Sequence, residues 1–303
     1  MNIKKFLLAL VATLLVVSVV FLGITFFTAT GGFEGILDKT SDDTTNILVV
    51  GADNDGTRAD TIMIISATPK DQTINLLSVP RDTRIKYTNK RHGKINACLG
   101  KEDGEQLLID HVKELTGLPI HSFCKVSFEG VENIIDVLGG VKYDVPIDMD
   151  YDDPVQNFSV HLKAGPQTLN GAQSIGLLRF RSGYASADLG RIATQQDFIK
   201  TVAKQKLNVK YIFKIPSVMS EISNSLDTDL SPMDIIKLAW KFRDGDNVKF
   251  ESYMLPGQAK SIGGVAYYVA DEDAPQQIEM MLETVPTDEN GNGNETVSDK
   301  VID

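Results

Sequence analysis

Three arginines stand close together in the chain and belong to the residue type that best binds phosphate. They are Arg179, Arg181 and Arg191. Arg179 and Arg181 are two residues apart, so in an extended segment both side chains point to one face. Neighbouring guanidinium groups repel each other unless an anion lies between them, and each offers a planar, bidentate donor fork that matches phosphate. The run therefore predicts an anion site, with an ordinary solvated basic loop as the alternative.

The helix predicted after this run would add to the same site. It extends from about Asp188 to Leu207, with Asp188 as its N-cap. Arg191 and Gln195 are four residues apart and share a helical face. Because the N-terminus of a helix favours an anion, both side chains are candidates for phosphate binding. A solvated helix face is the alternative.

Carboxylates stand at the ends of the strands predicted earlier in the chain. Apolar runs predict three strands between residues 47 and 79. Asp53 follows the first strand, Asp60 directly precedes the second, and Arg81 follows the third. Ligands of open α/β sheets bind at strand ends, and Mg²⁺ is held by one or two carboxylates together with phosphate oxygens. The sequence thus predicts that Asp53 and Asp60 share a divalent cation; the alternative for each is a cap or turn residue.

The elements that would position these side chains alternate between strands and helices. Leu108, Val112 and Leu115 have helical spacing, and a second apolar stripe of this kind ends at Gly139. Strands mixed with such helices predict an α/β layered domain. We place it at residues 45–284, because no linker interrupts this range.

The two ends of the chain have other compositions. Two lysines precede an apolar stretch at 6–27, which as a helix would be about 33 Å long and could span a bilayer. We therefore expect a cytoplasmic stub and membrane anchor at 1–28 and a linker at 29–44. A cleaved signal peptide is the alternative. The positive-inside rule places the remainder outside the cytoplasm, and the polar, acidic residues 285–303 are expected to be disordered.

The overall charge excludes one class of function. The net charge is −11 over 303 residues and the pI is about 4.9. A nucleic-acid-binding protein would show a broad basic face, so we expect no nucleic-acid partner. Basic clusters are correspondingly more informative in this acidic chain.

The chain has two cysteines, Cys98 and Cys124. Outside the cytoplasm they could form a disulfide. Two separate buried thiols are an equally good interpretation. The cysteines and the scattered histidines have no zinc-ligand spacing.

Several short motifs resemble those of the LytR-CpsA-Psr family, over about residues 45–283. Each motif alone is weak, whereas their joint order and spacing is specific. The motifs are Asn46-Ile47-Leu48, Gly51-Ala52-Asp53, Arg58-Ala59-Asp60-Thr61, Ser78-Val79-Pro80-Arg81-Asp82-Thr83, Gly93-Lys94-Ile95-Asn96-Ala97, Phe128-Glu129-Gly130, Leu138-Gly139-Gly140-Val141, Leu169-Asn170-Gly171, Arg179-Phe180-Arg181, and Asp188-Leu189-Gly190-Arg191 with Gln195-Gln196. Ala172 and Gly176 depart from the pattern, which has Glu and a larger residue there.

The resemblance implies an extracytoplasmic, membrane-anchored, Mg²⁺-dependent phosphotransferase, with Mn²⁺ as the alternative ion. Such enzymes move an anionic glycopolymer, such as teichoic acid or capsule, from a polyprenyl-pyrophosphate carrier to peptidoglycan and release polyprenyl phosphate. The implied fold is a three-layer α-β-α sandwich around a mixed central sheet, with an apolar tunnel for the prenyl chain.

The resemblance also implies roles for individual residues. Asp53 and Asp60 would hold the metal. Separately, on the principles of acid–base catalysis, a carboxylate near the metal such as Asp60 could accept the proton of the acceptor hydroxyl. The pyrophosphate would be bound by Arg81, Arg179, Arg181, Arg191 and Gln195, with Arg58, Lys94 and Asp188 in supporting positions.

Two other functions remain compatible with these residues. A hydrolase of the same lipid pyrophosphate would use water as the acceptor and the same side chains. A non-catalytic, membrane-anchored lipid-binding regulator would tolerate loss of Asp53 and Asp60, whereas this chain has both.

Overall fold

The computed structural model describes residues 43–53, 55–87, 92–153, 158–180, 184, 187–222 and 225–283. The predicted anchor at 1–28, nearly all of the linker and the tail at 285–303 lie outside these ranges. Within them, every helix is too short or too polar to cross a bilayer. The membrane anchor therefore stays a prediction.

The described elements alternate between strands and helices. The strands are β1 (Thr45–Ala52), β2 (Ala59–Thr68), β3 (Thr73–Ser78), β4 (Arg84–Lys86), β5 (His92–Lys94), β6 (Ser122–Ser127), β7 (Val141–Val145), β8 (Met149–Asp153), β9 (Phe158–Leu162), β10 (Gly165–Leu169), β11 (Leu226–Thr228), β12 (Lys249–Met254), β13 (Gly257–Ile262) and β14 (Val265–Ala270). The helices are α1 (Gly104–Thr116), α2 (Phe128–Val137), α3 (Gly171–Arg179), α4 (Ala187–Lys206), α5 (Val209–Ile212), α6 (Ile215–Glu221), α7 (Pro232–Lys241) and α8 (Ala274–Glu283).

A six-stranded sheet in the order β11-β6-β1-β2-β3-β12 forms the centre of the domain. β2 runs antiparallel to both β1 and β3, whereas β6 is parallel to β1 and β12 is parallel to β3. The predicted α/β fold with a mixed central sheet is therefore confirmed, and all three strands predicted between residues 47 and 79 belong to this sheet.

Two predicted helices end or begin where their capping residues indicate. α1 ends at Gly117, whose φ of +71° is the left-handed conformation that glycine adopts without strain. α2 begins after Ser127, whose Oγ accepts a hydrogen bond of 3.1 Å from the backbone N–H of Gly130.

Helices cover both faces of the sheet. On one face, Leu48 and Ile64 pack against Leu108 of α1 and Ile278 of α8 in a cluster of fully buried side chains. On the other face, Met63 packs with Leu76, Phe242 and Val248, and residues of α4 and α7 complete the group. Alternate side chains of β2 and β3 thus belong to two separate cores.

A smaller core lies beyond the second face. It joins β7, β8, β9 and β10 to α2, α3 and α4 through Val141, Leu162, Leu169, Leu177 and Phe198. β7 pairs with β10 and β8 pairs with β9, in two antiparallel ribbons outside the central sheet. The space between this core and the central sheet contains the candidate site.

The cysteines form no disulfide. Cys98 lies buried in the core on the first face, and Cys124 lies on β6. Both thiols are free, and burial raises the pKa of Cys98 to about 12 and that of Cys124 to about 11. The structure therefore supports two separate thiols, which their high pKa values keep protonated at neutral pH.

Candidate active site

A cavity of about 690 Å³ lies between the second face of the sheet and helices α2, α3 and α4. Its walls are mainly apolar, and a group of charged and amide side chains lies towards the start of α4. The apolar walls include Val49, Ile65, Val126, Ile134, Ile135, Phe198 and Val202, and the polar end includes Asp60, Thr61, Arg179, Arg191 and Gln195. The cavity continues along α4 to Lys206, Leu207 and Tyr211. Arg191 and Lys206 are fifteen residues apart in α4, which corresponds to about 22 Å.

A β-bulge directs Asp60 into this cavity. Gly51 faces Thr61 and Ala52 faces Ala59, so Asp60 is the extra residue of β2. Successive residues of a regular strand point to opposite faces, yet Asp60 and Thr61 both line the cavity. Sequence analysis placed Asp60 just before the second strand; the strand in fact begins at Ala59, and the bulge sets the direction of the carboxylate.

Arg81 is fixed by Asp60. Its Nη1 donates to Asp60 Oδ1 at 2.6 Å, with about a fifth of each side chain exposed. Arg81 stands in the turn after β3, as the sequence predicts. The ion pair therefore places a guanidinium group next to the polar end of the cavity and still in reach of solvent.

Asp53 closes the loop between β1 and β2. Its Oδ1 accepts a hydrogen bond of 3.0 Å from the backbone N–H of Arg58, and its own N–H donates to Arg58 O at 3.0 Å. Partial burial, helped by the charges of Asp55 and Asp60, raises the pKa of Asp53 above its ordinary value. Asp53 and Asp60 are thus close enough to repel each other, which is the arrangement that a cation would stabilise.

These carboxylates fit a magnesium site that is completed by substrate. In the part of the chain that the structure describes, no three His, Cys, Asp or Glu side chains are grouped as metal ligands. Two carboxylates are what Mg²⁺ commonly takes from a protein when phosphate oxygens and water supply its other ligands. The donor set is therefore suited to Mg²⁺ bound together with a phosphate group.

Arg179 ends a helix and is held between two aromatic rings. The prediction of an extended segment at Arg179 is wrong: it is the last residue of α3, and the backbone becomes extended only at Phe180. A capping box between Asn170 and Gln173 fixes the start of this helix. The guanidinium carbon lies 4.7 Å from the ring centre of Phe128 and 4.1 Å from that of Phe158.

Helix α4 supplies Arg191 and Gln195 to the same end of the cavity. Arg191 is only 3% exposed and Gln195 is 7% exposed. Gln195 Nε2 donates to Leu178 O at 3.0 Å, and Gln195 Oε1 accepts from Thr61 Oγ1 at 3.3 Å, so this side chain links α3, α4 and β2. α4 begins at Ala187, so Asp188 is its second residue and not its N-cap as predicted.

The remaining predicted residues either lie around the polar end of the cavity or fall outside the part of the chain that the structure describes. Lys94 pairs with Asp82 at 3.0 Å, beside the turn that carries Arg81. Arg58 is exposed and contributes its backbone to Asp53. Arg181 and the side chain of Asp188 lie outside the described part of the chain.

Sequence analysis missed three residues of the site. Thr61 lines the cavity and holds Gln195, and Phe128 and Phe158 stack on Arg179. Thr61 and Phe128 belong to motifs that carry the family resemblance, but the sequence assigned neither residue a role in the site. Phe158 had no signal, because only the fold brings β9 next to α3.

Comparisons with known proteins agree with this architecture. The profile of the LytR_cpsA_psr family matches residues 30–284. The polyisoprenyl-teichoic acid–peptidoglycan teichoic acid transferase TagU of Bacillus licheniformis is 27% identical over 249 residues, which cover 81% of this chain and 79% of that protein. The protein of the same name from Oceanobacillus iheyensis is 29% identical over 242 residues, covering 76% and 72%. The crystal structure of B. subtilis TagV superposes with a TM-score of 0.70 at 24% identity, covering 80% of this chain and 97% of that one.

Proposed function

Because the chain belongs to the LytR_cpsA_psr family, we propose that it is a phosphotransferase that attaches an anionic glycopolymer to peptidoglycan. The donor is the glycopolymer linked to a polyprenyl-pyrophosphate carrier, and polyprenyl phosphate is released. The names of the related TagU proteins support teichoic acid as the class of polymer. The observation that carries the proposal is the continuity of a long apolar cavity with a cluster of arginine and aspartate side chains at one end.

The cavity has the properties that a prenyl chain requires. Its volume of about 690 Å³ is in the range of ligand sites, and its walls are mainly aliphatic and aromatic side chains. Burial of an apolar chain contributes about 25 cal/mol per Å² removed from water, which favours binding of the lipid along α4. The pyrophosphate would then lie at the polar end, among Arg179, Arg191 and Gln195.

The arginines bind and orient the pyrophosphate. Arg81, held by Asp60, and Arg179, held between Phe128 and Phe158, present donors whose directions are fixed before substrate binds. We assign Arg181 to the same group, with Arg58, Lys94 and Asp188 as supporting residues. Phosphoryl transfer depends mostly on such positioning and on electrostatic stabilisation.

In the transfer, an acceptor hydroxyl oxygen attacks the phosphorus that carries the glycopolymer. A new P–O bond forms, the bridging P–O bond of the pyrophosphate breaks, and polyprenyl phosphate leaves with the bond's electron pair. The hydroxyl proton passes to a base, for which we propose Asp60. The ion pair with Arg81 holds this carboxylate at the polar end of the cavity, where the reacting phosphate would lie.

We assign Mg²⁺, or Mn²⁺ in its place, to Asp53 and Asp60. When bound, the ion would neutralise part of the charge on the pyrophosphate oxygens. The mutual repulsion of the two carboxylates and the raised pKa of Asp53 support this assignment. We further propose that the protein is anchored in the cell membrane by residues 1–28, with its catalytic domain outside the cytoplasm, because the lipid carrier confines the donor to the membrane.

Product analysis tests the proposal. The full-length protein is incubated with a prenyl-pyrophosphate-linked glycan and Mg²⁺, with or without peptidoglycan, and the products are identified by mass spectrometry. We expect a phosphodiester-linked glycan and prenyl phosphate only when peptidoglycan is present, and neither product after chelation of the metal. Equal release of free glycan phosphate in both arms would instead identify a hydrolase. Binding of the donor without turnover in any arm would identify a lipid-binding protein.

A further inference from the structure

One stretch of this acidic chain contains lysines and no acidic residue. The protein has 41 Asp and Glu residues against 30 Lys and Arg. Between Asp197 and Glu221, however, the sequence contains five lysines and no acidic residue. Lys200, the first of these, is partly buried near Glu251 and Asp197. Lys204 and Lys206 stand in the last turn of α4, and Lys210 and Lys214 follow the end of this helix.

Three of these lysines surround one tyrosine. The Nζ atoms of Lys206, Lys210 and Lys214 lie 4.5, 5.3 and 5.4 Å from the ring centre of Tyr211. Within the described ranges, none of the three forms an ion pair with a carboxylate. A hydrogen bond from Lys206 Nζ to the Tyr211 hydroxyl, together with the charges of the three lysines, lowers the pKa of Tyr211. Grouped ammonium groups without carboxylates favour an external anion.

Large apolar side chains are exposed beside these lysines. Val209 is 42% exposed and Phe213 is 53% exposed, both on or next to the short helix α5. Lysines with aromatic and aliphatic side chains on one short amphipathic segment are typical of protein surfaces that lie in the headgroup region of a membrane. We call Lys206, Val209, Lys210, Tyr211, Phe213 and Lys214 the lysine–aromatic surface.

This surface lies at the end of the domain where the chain enters the sheet. Thr45, the first residue of β1, pairs with Ala67. Ala67 belongs to the core against which Leu207 packs, and Leu207 directly follows Lys206. The segment that precedes β1, in which the sequence predicts a membrane anchor, therefore joins the domain on the side of the lysine–aromatic surface.

The same surface contributes two residues to the wall of the cavity, away from its arginines. Lys206 and Tyr211 line the cavity at the opposite end of α4 from Arg191. A bilayer in contact with this surface would face the end of the cavity that holds no arginine. Docking would thus shorten the path of an apolar chain between the membrane and the cavity.

We propose that the lysine–aromatic surface docks the domain on an anionic lipid bilayer, with Val209 and Phe213 at the level of the headgroups. The part of this inference that concerns entry of the prenyl chain rests on the proposed function; the docking itself does not. A soluble polyanion, such as the glycopolymer, would also be attracted by the lysines. The exposed apolar side chains favour the bilayer, since a polyanion would gain nothing from them.

Amide hydrogen exchange of the full-length protein tests the docking. Exchange in the segment 208–216 is compared on vesicles of phosphatidylcholine and on vesicles with one third phosphatidylglycerol. The test variant is Lys210→Gln with Lys214→Gln, and the charge-matched control is Lys249→Gln with Lys260→Gln, two exposed lysines of β12 and β13. None of these four lysines lines the cavity. Because an anionic surface favours each nearby lysine about fivefold, loss of both should weaken docking about 25-fold.

We expect slower exchange in 208–216 on the anionic vesicles in the wild type and in the control variant, and exchange equal to that on phosphatidylcholine in the test variant. Equal exchange on both vesicles in the wild type, or unchanged protection in the test variant, would overturn the proposal. Protection by free polyphosphate as strong as that by vesicles would assign the surface to a polyanion and also overturn it. Transfer from a short-chain soluble donor is measured in parallel: docking without transfer would refute the proposed transferase alone.

Discussion

The two faces of the central sheet are built from the same strands and differ in what covers them. In β2, Ile62 and Ile64 point into a core closed by α1 and α8, where Ile64 is fully buried. Thr61 and Ile65 point to the other face and line the cavity. One face is covered by buried apolar side chains that stabilise the fold, whereas the other borders a cavity with room for a ligand.

The bulge at Asp60 connects these two faces. Regular alternation from Thr61 would turn Asp60 towards the packed face, where a carboxylate would be buried among aliphatic side chains. The extra residue instead brings Asp60 to the cavity, where it pairs with Arg81. The bulge thus places Asp60 with the residues of the candidate site, while Ile62 and Ile64 of β2 stay in the packed core. We therefore expect substitutions on the two faces to affect different measurements.

The largest effect on turnover is expected for Arg81→Ala, next to the polar end of the cavity. Loss of a preorganised cationic donor should lower kcat about 10²–10³-fold. The melting temperature should change much less than turnover, because the ion pair with Asp60 is still in reach of solvent. Steady-state transfer assays and thermal unfolding check this, with the exposed Arg243→Ala as the matched control. Turnover of R81A equal to that of R243A would contradict the assignment.

The next prediction compares the loss of stability when two neighbouring residues of β2 are truncated. Ile64→Ala should lower the free energy of unfolding by about 4 kcal/mol, because it leaves a void in the packed core. Ile65→Ala should lower it by only about 1–2 kcal/mol, because this side chain already borders an empty space. Urea unfolding of both variants gives the two values. Equal losses would show that the second face is as tightly packed as the first.

The fold was more predictable from sequence than the site. The strands at Ile47 and Ile62 are continuous apolar runs, and Gly117 ends α1 as glycine commonly does, so local patterns sufficed. The contacts of Arg179 with Phe128 and Phe158 depend on pairing between distant segments, which no local pattern contains.

Gly176 illustrates the same limit. In the sequence it departs from the family pattern in α3. In the structure, a Cβ at this position would lie 2.9 Å from Cγ2 of Val160 on β9. The glycine therefore permits close packing of helix and strand, a reason that only the tertiary structure reveals.

A smaller effect is expected when the cavity is shortened. Ala203→Phe adds a ring to the wall near Lys206, far from the arginines. It should raise KM for a long-chain prenyl donor about tenfold, equivalent to ~1.4 kcal/mol, and leave KM for a short-chain donor unchanged. Ala259→Phe, on the exposed strand β13, serves as the control. An equal rise for both donor lengths would show that the prenyl chain does not extend to Ala203.

The smallest effect concerns Asp53. Its pKa is raised in the folded protein, so the folded state binds the proton more tightly than the unfolded state. The wild type therefore loses stability as the pH rises past the pKa of Asp53 in the unfolded state and then past its pKa in the folded state. Asp53→Asn removes this loss. The melting temperature of the variant should therefore be about 1–2 °C above that of the wild type at pH 7, and the same as that of the wild type at pH 3. Thermal unfolding at both values checks the shift. A lower melting temperature at pH 7 would show that the ionised carboxylate stabilises the fold.

A photocrosslink tests most directly whether the cavity binds the prenyl chain. A prenyl-pyrophosphate donor with a diazirine on its terminal isoprene unit is bound to the full-length protein, irradiated, and the labelled peptide is identified. We expect labelling between Val202 and Ile215, at the apolar end of the cavity, and competition by unlabelled donor. Labelling of α1 or α8 on the packed face, or labelling that excess donor does not reduce, would contradict it.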